Sequence, residues 1–387
     1  GNALTMVLDD LYVGSRSAIT DGVVPDWIVS SSDGFCREAF GVPAPGGVRA
    51  LVAGIDVVRD VNGDFRVLED NLRNPSGVSY VLENREVMKR LFPRVSGAHR
   101  IRPVDHYGPT LLEALEAVAP PTSPEPTVVV LSPGTMNSAY FEHAFLAREM
   151  GVELVEGSDL VVDDHVVYMR TTRGLQRVDV NYRRLDDRLL DPGGCKSESM
   201  SGVPGLLAAA RAGNVTLANA IGNGAADDKA VYCFVPDLIR HFLGEEPLLQ
   251  NVETYRPWED DQLDVVLDRL HELVVKPVAG SGGYGIVIGP SASEEELADC
   301  RAAILEDPRG WIAQEVVQLS RVPTMTGDGV GPRHVDLRPF VISRPDGVTV
   351  IPGGLTRVAL QEGSLIVNSS QGGGSKDTWV LVDEGAR

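Results

Sequence analysis

The sequence is poor in cysteine and in basic residues, and it has no long apolar run. Its four cysteines are widely spaced and contain no CxxC pair. This pattern argues against a disulfide framework or a structural zinc site, and it fits a reducing, cytoplasmic compartment. Without ~20 consecutive apolar residues no membrane-spanning helix is expected. No signal peptide is visible, and the first residues, Gly1 and Asn2, lead us to expect a trimmed chain.

The deficit of positive charge limits the partners. Lys and Arg number 35 against 55 Asp and Glu, which gives a net charge of −20. Proteins that bind nucleic acid or anionic membranes need a basic face, so neither partner is expected. A small anionic ligand is compatible with this charge, because a local cluster of cations and backbone N–H groups can bind phosphate. Protein partners and oligomeric state stay open.

The order of predicted elements indicates an α/β (α+β) chain. Val78–Leu91 predicts a helix that ends before Pro93. A strand at Val128–Leu131, a helix at Tyr140–Met150 and a strand at Val152–Val155 predict a Rossmann-like unit. Later patterns predict a helix over Asp228–Leu243 that is broken near Pro236. They also predict strands over Trp311–Val317, Val335–Ile342 and Gly347–Leu355. We expect three parts, comprising residues 1–96, 97–225 and 226–387.

A predicted hairpin brings two carboxylates together. Ala50–Arg59 and Phe65–Asn71 flank Asn62-Gly63, a strong signal for a two-residue turn. With that turn, Asp56 lies opposite Glu69, and Asn71 shares their face of the sheet. Opposed carboxylates repel, and a hard cation such as Mg²⁺ removes that cost. The alternative, a solvated acidic face on an edge hairpin, has about the same weight.

A lysine and a glycine-rich loop form the second constellation. Lys276 ends a β-branched strand, and four of the six residues in Gly280–Gly285 are glycine. Glycines allow the backbone to approach a phosphate closely, and the lysine adds a charge. Because a strand is expected on either side, the pattern indicates a flap between strands. A flexible hairpin turn is the alternative.

Weaker signals lie on either side of this loop. Gln314 and Glu315 stand at the end of an apolar strand, where backbone groups can meet an adenine ring, although an ordinary strand end fits as well. Lys229 begins a predicted helix, where a solvated lysine is equally ordinary. Arg338 and Arg357 lie on strands, which suits clamping of phosphate or carboxylate. Structural salt bridges are the alternative for both arginines.

Together these residues resemble the ATP-grasp enzymes. The order is inverted, since the Asp and Glu-x-Asn metal element comes first, and this resembles the circularly permuted type 2 group related to the ligase half of glutathionylspermidine synthase. Other segments carry the same resemblance over nearly the whole chain: LEDNLRNPSGVSYVLENR (68–85), FEHAFLAREMGVELVEGSDL (141–160), VDVNYRRLDD (178–187), SGVPGLL (201–207) and VNSSQGGGSKDTWVL (367–381).

The resemblance implies a circularly permuted ATP-grasp fold with a Rossmann-like (pre-ATP-grasp) unit. It also implies an ATP-dependent carboxylate–amine ligase that forms an acyl phosphate and releases ADP and phosphate. The implied substrates are small molecules or peptides, and the implied cofactors are ATP and Mg²⁺, with Mn²⁺ as an alternative. A catalytically silent nucleotide-binding module and a kinase without ligation are the other functions left open.

The resemblance also assigns roles to residues. Metal binding falls to Asp56, Glu69 and Asn71. Nucleotide binding falls to Lys229, Lys276, Gly280, Ser281, Gly282, Gly283, Tyr284, Gly285, Gln314, Glu315 and Val316. Stabilisation of the transferred phosphoryl group or the substrate carboxylate falls to Arg73, Arg338 and Arg357. Ser76, Asn368 and Lys376 are expected on the substrate side.

Overall fold

The structure, a computed structural model, describes residues 2–280, 282–327, 329–367 and 372–382. Two predicted site residues, Ser281 and Asn368, lie outside these ranges. The helices α1 to α12 are, in chain order, Asn2–Tyr12, Ser17–Thr20, Asp26–Ser30, Val78–Leu91, Pro93–Ala98, Tyr107–Ala117, Tyr140–Met150, Leu206–Arg211, Lys229–Tyr232, Val235–Leu243, Asp260–Asp268 and Glu294–Glu306. No helix among the described residues is long and apolar enough to cross a membrane.

The strands of the described ranges form four sheets. In chain order β1 to β20 are Val52–Arg59, Phe65–Asn71, Val128–Leu131, Glu153–Val155, Leu160–Asp163, Val166–Thr171, Gly174–Arg177, Val180–Arg183, Thr216–Ala218, Gln250–Asn251, Thr254–Tyr255, Leu273–Pro277, Val287–Ile288, Trp311–Glu315, Arg321–Thr326, Gly329–Arg338, Phe340–Arg344, Gly347–Val350, Leu355–Val358 and Gly374–Asp377. The mixture of helices and sheets confirms the predicted α/β class.

The largest sheet joins the start of the chain to its end. Its strand order is β10-β2-β1-β16-β19-β20, and β17 also pairs with β1. The β1–β16 and β1–β17 pairs are antiparallel. The first hairpin therefore lies inside a sheet whose other central strands come from residues beyond 328, as the inverted order of motifs predicts.

The hairpin between β1 and β2 has the predicted pairs but a different turn. Asp56 pairs with Glu69 and Gly54 with Asn71. Near the turn the pairing changes to Arg59 with Phe65. The turn has three residues rather than two, because the backbone N–H of Asp60 donates to the carbonyl of Asp64. A β-bulge after Asp56 restores the register, so two deviations from the predicted hairpin cancel at the carboxylates.

A parallel sheet is formed by residues that lie, in sequence, between strands β2 and β16 of the large sheet. Its order is β4-β3-β8-β9, and all three neighbouring pairs are parallel. Strand β3 is buried along its whole length, as expected for a strand with helices on both faces. The helix α7 ends at Gly151, which adopts the left-handed conformation at φ 70° and so closes the helix. The proposed limits of this unit, residues 97 and 225, stay a prediction.

Another small sheet has the strand order β11-β14-β12-β13. Its apolar face packs against α11 and α12 through Val266, Val275, Ile304 and Ala313. Ser293 and Glu296 form a capping box that begins α12. The other face of this sheet looks toward the large sheet across a cleft that residues of both sheets line.

Several predicted elements are shorter than the sequence indicated. The predicted break in the helix over Asp228–Leu243 is confirmed, because α9 and α10 are separate and Pro236 lies in the first turn of α10. Pro339 separates β16 from β17, because proline cannot donate to a ladder. Pro93 ends α4 but also begins α5, where its missing N–H costs nothing.

Candidate active site

Adjacent strands of the large sheet bring the charged residues together. Glu69 lies on β2, Asp56 on β1, Arg338 on β16 and Arg357 on β19. The β1–β16 register pairs Val57 with Leu337, so Asp56 and Arg338 are neighbours across the ladder. These side chains lie at one level of the sheet although they come from opposite ends of the sequence.

Asp56 is fully buried and bound by two arginines. Its carboxylate accepts hydrogen bonds from Nε and Nη2 of Arg338, the latter at 2.7 Å, and from Nη2 of Arg357. Burial by itself raises the pKa of Asp56, but the two guanidinium groups outweigh burial and hold that pKa below its ordinary value. Nε of Arg357 also donates to Asp336 at 3.0 Å, so the arginine bridges two carboxylates.

The expected repulsion between Asp56 and Glu69 is relieved by side chains. Nζ of Lys229 lies 3.3 Å from Oε2 of Glu69, and Nη2 of Arg338 lies 3.8 Å from Oε1. These contacts offset part of the negative charge with side chains, and the metal site at Asp56, Glu69 and Asn71 stays a prediction. Glu69 remains 28% exposed to the cleft, and Nδ2 of Asn71 is buried with no hydrogen-bond partner among the described residues.

Lys276 is held by the predicted hinge residue. Nζ of Lys276 donates to Oε1 of Gln314 at 2.6 Å, and Nε2 of Gln314 donates to Thr254 at 3.0 Å. Lys276 is 8% exposed. Burial lowers its pKa to about 8, although Glu69 acts in the opposite direction. Gln314 thus orients a buried cation toward the cleft, a role that its place at a strand end did not indicate.

The glycine-rich loop joins two antiparallel strands, β12 and β13. Nζ of Lys229 donates to the carbonyl of Gly280 at 2.6 Å. Gly282 and Gly283 have φ values of 69° and 80°, which other residues adopt only with strain. Gly285 is also left-handed at φ 74°, while Tyr284 is 62% exposed. Gly280, Gly282, Gly283 and Tyr284 line the cleft, and the role of this loop as a flap over a nucleotide stays a prediction.

Beside these cations the cleft is apolar. The opening encloses about 970 Å³, a volume that includes its mouth. Its apolar wall comes from both sheets and from the segment near the end of the chain: Val58, Leu68, Val252, Val274, Ile286, Ile288, Val317, Leu319, Leu365, Ile366 and Val367. The ladder of β12 with β14 ends at Glu315, so Val316 follows the strand end, and it is not among the residues that line the cleft. The Glu315 carboxylate accepts from Tyr255 at 2.6 Å.

A second, polar arm continues from the charged end of the cleft. Glu69, Lys229, Gly280, Gly282 and Arg357 line both the apolar part and this arm. The arm extends past Asn71, Arg73, Ser76, His143 and Arg184. The cleft is therefore one continuous space with an apolar end, a cationic middle and a polar end.

Arg73 and Ser76 lie in the polar arm, and Lys376 does not. Nη1 of Arg73 donates to Asp186 at 2.6 Å, and its backbone N–H donates to Asp227. Ser76 accepts a hydrogen bond from Nη2 of Arg184 at 2.6 Å. Nζ of Lys376 instead donates to the carbonyl of Pro323 at 2.9 Å, away from the residues that line the cleft.

Several residues of the arm were not singled out from the sequence. Nη2 of Arg184 donates to Glu142 at 3.0 Å, and Glu142 accepts from the backbone N–H groups of Gly77 and Ser79 at the start of α4. Burial lowers the pKa of His143 to about 3. Arg184 and Glu142 stand inside segments that carried the family resemblance, which was the one available signal for them.

Sequence comparison identifies the family of this chain. A family model described as circularly permuted ATP-grasp type 2 matches residues 1–359. The chain belongs to that family. Among solved structures, a glutathione synthetase-like effector (GSS30) from Globodera pallida, in the apo form, is similar with a TM-score of 0.55 and 11% identity. The match covers 98% of this chain and 84% of the effector, and at this identity it shows the fold alone.

The ATP-grasp chain has similar relatives in bacteria. An uncharacterized protein of Mycobacterium tuberculosis is 59% identical over 98% of this chain and 69% of its own length. An uncharacterized protein of Synechocystis is 57% identical over 98% of this chain and 79% of its own length. A Frankia alni protein named "Putative glutamate--cysteine ligase 2-3" is 48% identical over 98% of this chain, which spans 44% of that protein. Its name therefore describes a longer protein.

Proposed function

We propose that this ATP-grasp protein is an ATP-dependent carboxylate–amine ligase acting on small molecules or peptides in the cytoplasm. The observation that carries the proposal is the continuity of the cleft. Its apolar end, its cluster of Lys229, Lys276, Arg338 and Arg357, and its polar arm share one space. A nucleotide bound at the apolar end would direct its terminal phosphate into the arm, where a second substrate can meet it.

The nucleotide end suits ATP. The apolar wall can pack against a purine. Beyond Glu315 the backbone no longer pairs with β12. Lys276 and Lys229 would offset the charge of the phosphates from opposite sides of the cleft. The glycine loop, already linked to Lys229 through Gly280, would cover the phosphates and exclude water. Phosphoryl transfer depends mainly on such positioning and charge.

Two residues provide oxygen ligands suited to Mg²⁺ or Mn²⁺. The Glu69 carboxylate is partly exposed to the cleft, and Asn71, whose side chain carries an amide oxygen, lines the polar arm together with Glu69. This donor set fits a hard cation that takes its other ligands from phosphates and water. When bound, the cation would supply charge neutralisation between phosphates. Asp56 accepts hydrogen bonds from two arginines, so we assign it to positioning Arg338 and Arg357.

The reaction would proceed in two steps. A substrate carboxylate oxygen attacks the terminal phosphorus and ADP leaves, which gives an acyl phosphate. An amine nitrogen then attacks the acyl carbon, phosphate leaves and the nitrogen loses a proton. Arg357 lines both parts of the cleft and Arg338 lines the polar arm, and both would stabilise the transferred group. Arg73 and Ser76, farther along the arm, would contact the substrate carboxylate or the amine.

An isotope experiment tests the proposal directly. The full chain is screened with pools of carboxylates and amines for ADP release that requires both, and the product is identified by mass spectrometry. With the active carboxylate labelled with ¹⁸O, one labelled oxygen should appear in the released phosphate. Glu69→Gln serves as the inactive control.

The other functions give different results in the same screen. ADP release without an amine, with a phosphorylated product, would identify a kinase. ATP binding with no ADP release across the pools would identify a silent module. Unlabelled phosphate formed together with an amide would contradict the acyl-phosphate step.

A further inference from the structure

Two cysteines that are distant in sequence meet beside the polar arm. Cys36 precedes a helical turn over Arg37–Ala39, and Cys195 lies in the loop before α8. Their sulfur atoms and a carboxylate oxygen of Glu38 all lie within 4.8 Å of one another. Sγ of Cys36 is 3.4 Å from Oε2 of Glu38. The cysteines do not form a disulfide.

We propose that Cys36, Glu38 and Cys195 bind a thiophilic divalent cation, with Zn²⁺ as the expected ion. Zinc binds thiolate at ~2.3 Å and carboxylate at ~2.0–2.2 Å, so a tetrahedral site separates these atoms by about 3.5 Å. The distance from Cys36 to Glu38 is already close to that value. Soft thiolate ligands select zinc over magnesium, so this site is chemically distinct from the one at Glu69.

The segments that carry these ligands are fixed by hydrogen bonds. The backbone N–H of Cys195 donates to the carbonyl of Asp191 at 2.7 Å, and the Asp191 carboxylate accepts from Gly193 and Leu207. On the other side, the backbone N–H of Cys36 donates to the Tyr12 hydroxyl at 3.3 Å. A site held in this way loses little conformational freedom when the ion binds.

The carbonyl of Glu38 is also held. It accepts a hydrogen bond from Nη2 of Arg211 at 2.6 Å. The backbone on both sides of the Glu38 side chain is therefore restrained, while its carboxylate oxygen stays beside the Cys36 sulfur. This restraint favours the arrangement in which the three ligand atoms lie within 4.8 Å of one another.

The pocket also has room for a fourth ligand. Cys36, Glu38 and Cys195 line it together with Arg73 and Asp186. Three protein ligands leave one position for water or a small molecule. Arg73 and Asp186 also line the polar arm. The ion would therefore bind the segment of Cys36 and Glu38 and the segment of Cys195 beside that arm. This inference does not depend on the proposed ligase activity.

Cobalt spectroscopy tests the site on the full chain. Metal is removed with a chelator under reducing conditions, and Co²⁺ is added without nucleotide. We expect one cobalt per chain with thiolate-to-cobalt absorption, displaced by Zn²⁺ and not by excess Mg²⁺. Cys36→Ser and Cys195→Ser should each weaken binding on the order of 100-fold. Cys233→Ser, at a half-buried cysteine outside the pocket, is the matched control and should bind as the wild type does.

A second measurement needs no variant. Alkylation of Cys195, followed by peptide mass spectrometry, should slow about 10-fold when free Zn²⁺ is ten times its Kd, because ~one-tenth of the sites are then open. Alkylation of Cys233 should not change. Absence of thiolate absorption, or Cys195 alkylation that is insensitive to zinc, would overturn the proposal. A Cys36–Cys195 disulfide that forms equally with zinc present would do the same.

Discussion

Replacing Lys276 by methionine should separate nucleotide binding from stability. The side chain is buried, and its ammonium group rests on a single amide oxygen of Gln314. Methionine retains the length of the side chain and removes the charge. We expect Lys276→Met to lose a charge-assisted phosphate contact of about 1.5–3 kcal/mol, or ~10–150-fold in the Kd for ATP.

The effect on stability should be small or favourable. A pKa of about 8 against an ordinary value of 10.5 means that the fold disfavours the charged lysine by roughly 3 kcal/mol at neutral pH. Removing the charge returns that amount, and the unpaired amide oxygen of Gln314 costs about 1–3 kcal/mol. These terms nearly cancel, so the apo variant should unfold at the same or a slightly higher temperature.

The sign of the pH dependence follows from the same shift. Because the folded pKa lies below the unfolded one, the cost of the charge is fully present below pH ~8 and is relieved as pH rises toward ~10.5. The stability of the wild type relative to Lys276→Met should therefore increase over this range. ATP binding should also take up protons above pH ~8 in the wild type, since the phosphates favour the charged lysine.

Calorimetry and thermal unfolding check these expectations together. ATP titrations in buffers of different ionisation enthalpy give Kd and proton uptake, and Lys89→Met, at an exposed lysine paired with Glu86, is the control. A folded Lys276→Met protein with wild-type ATP affinity would refute the assignment. A large loss of apo stability with unchanged ATP affinity would show that Lys276 has a structural role.

Two further variants test the charged cluster, and a third tests a buried ion pair outside the cleft. Glu69→Gln should abolish ADP release while changing the free energy of unfolding by less than ~1 kcal/mol, because Lys229 and Arg338 already offset the charge of Glu69. Glu86→Gln is the control. Wild-type ADP release by Glu69→Gln would exclude a metal role. Arg357→Met leaves Asp336 without its arginine and should cost about 3–5 kcal/mol in urea unfolding; an unchanged midpoint would contradict the bridging role. Asp377→Asn breaks the buried ion pair with Arg85 and should lower the free energy of unfolding by roughly 3 kcal/mol. The Kd for ATP should not change, since neither residue lines the cleft. Weaker ATP binding would show that this ion pair affects the cleft.

Local pattern predicted much of this protein. The helix over Val78–Leu91 and the pairing of Asp56 with Glu69 both follow from contacts between residues near in sequence. The glycine loop between two strands is equally local. Side-chain periodicity and turn chemistry depend on residues close in sequence, so they can be recognised without the tertiary structure. The inverted order of motifs, read through the family resemblance, also predicted the permuted fold.

Contacts across long stretches of chain were decided by the tertiary structure. Arg338 reaches Asp56 because β16 pairs with β1, and the ion pair that results was not predicted from the sequence. Cys36 meets Cys195 in the same way, although their spacing argued against a metal site. A linear pattern states which residues are available, but sheet order and register determine which charges and ligands become neighbours. Burial, which shifts the pKa of Lys276, arises only when those layers pack.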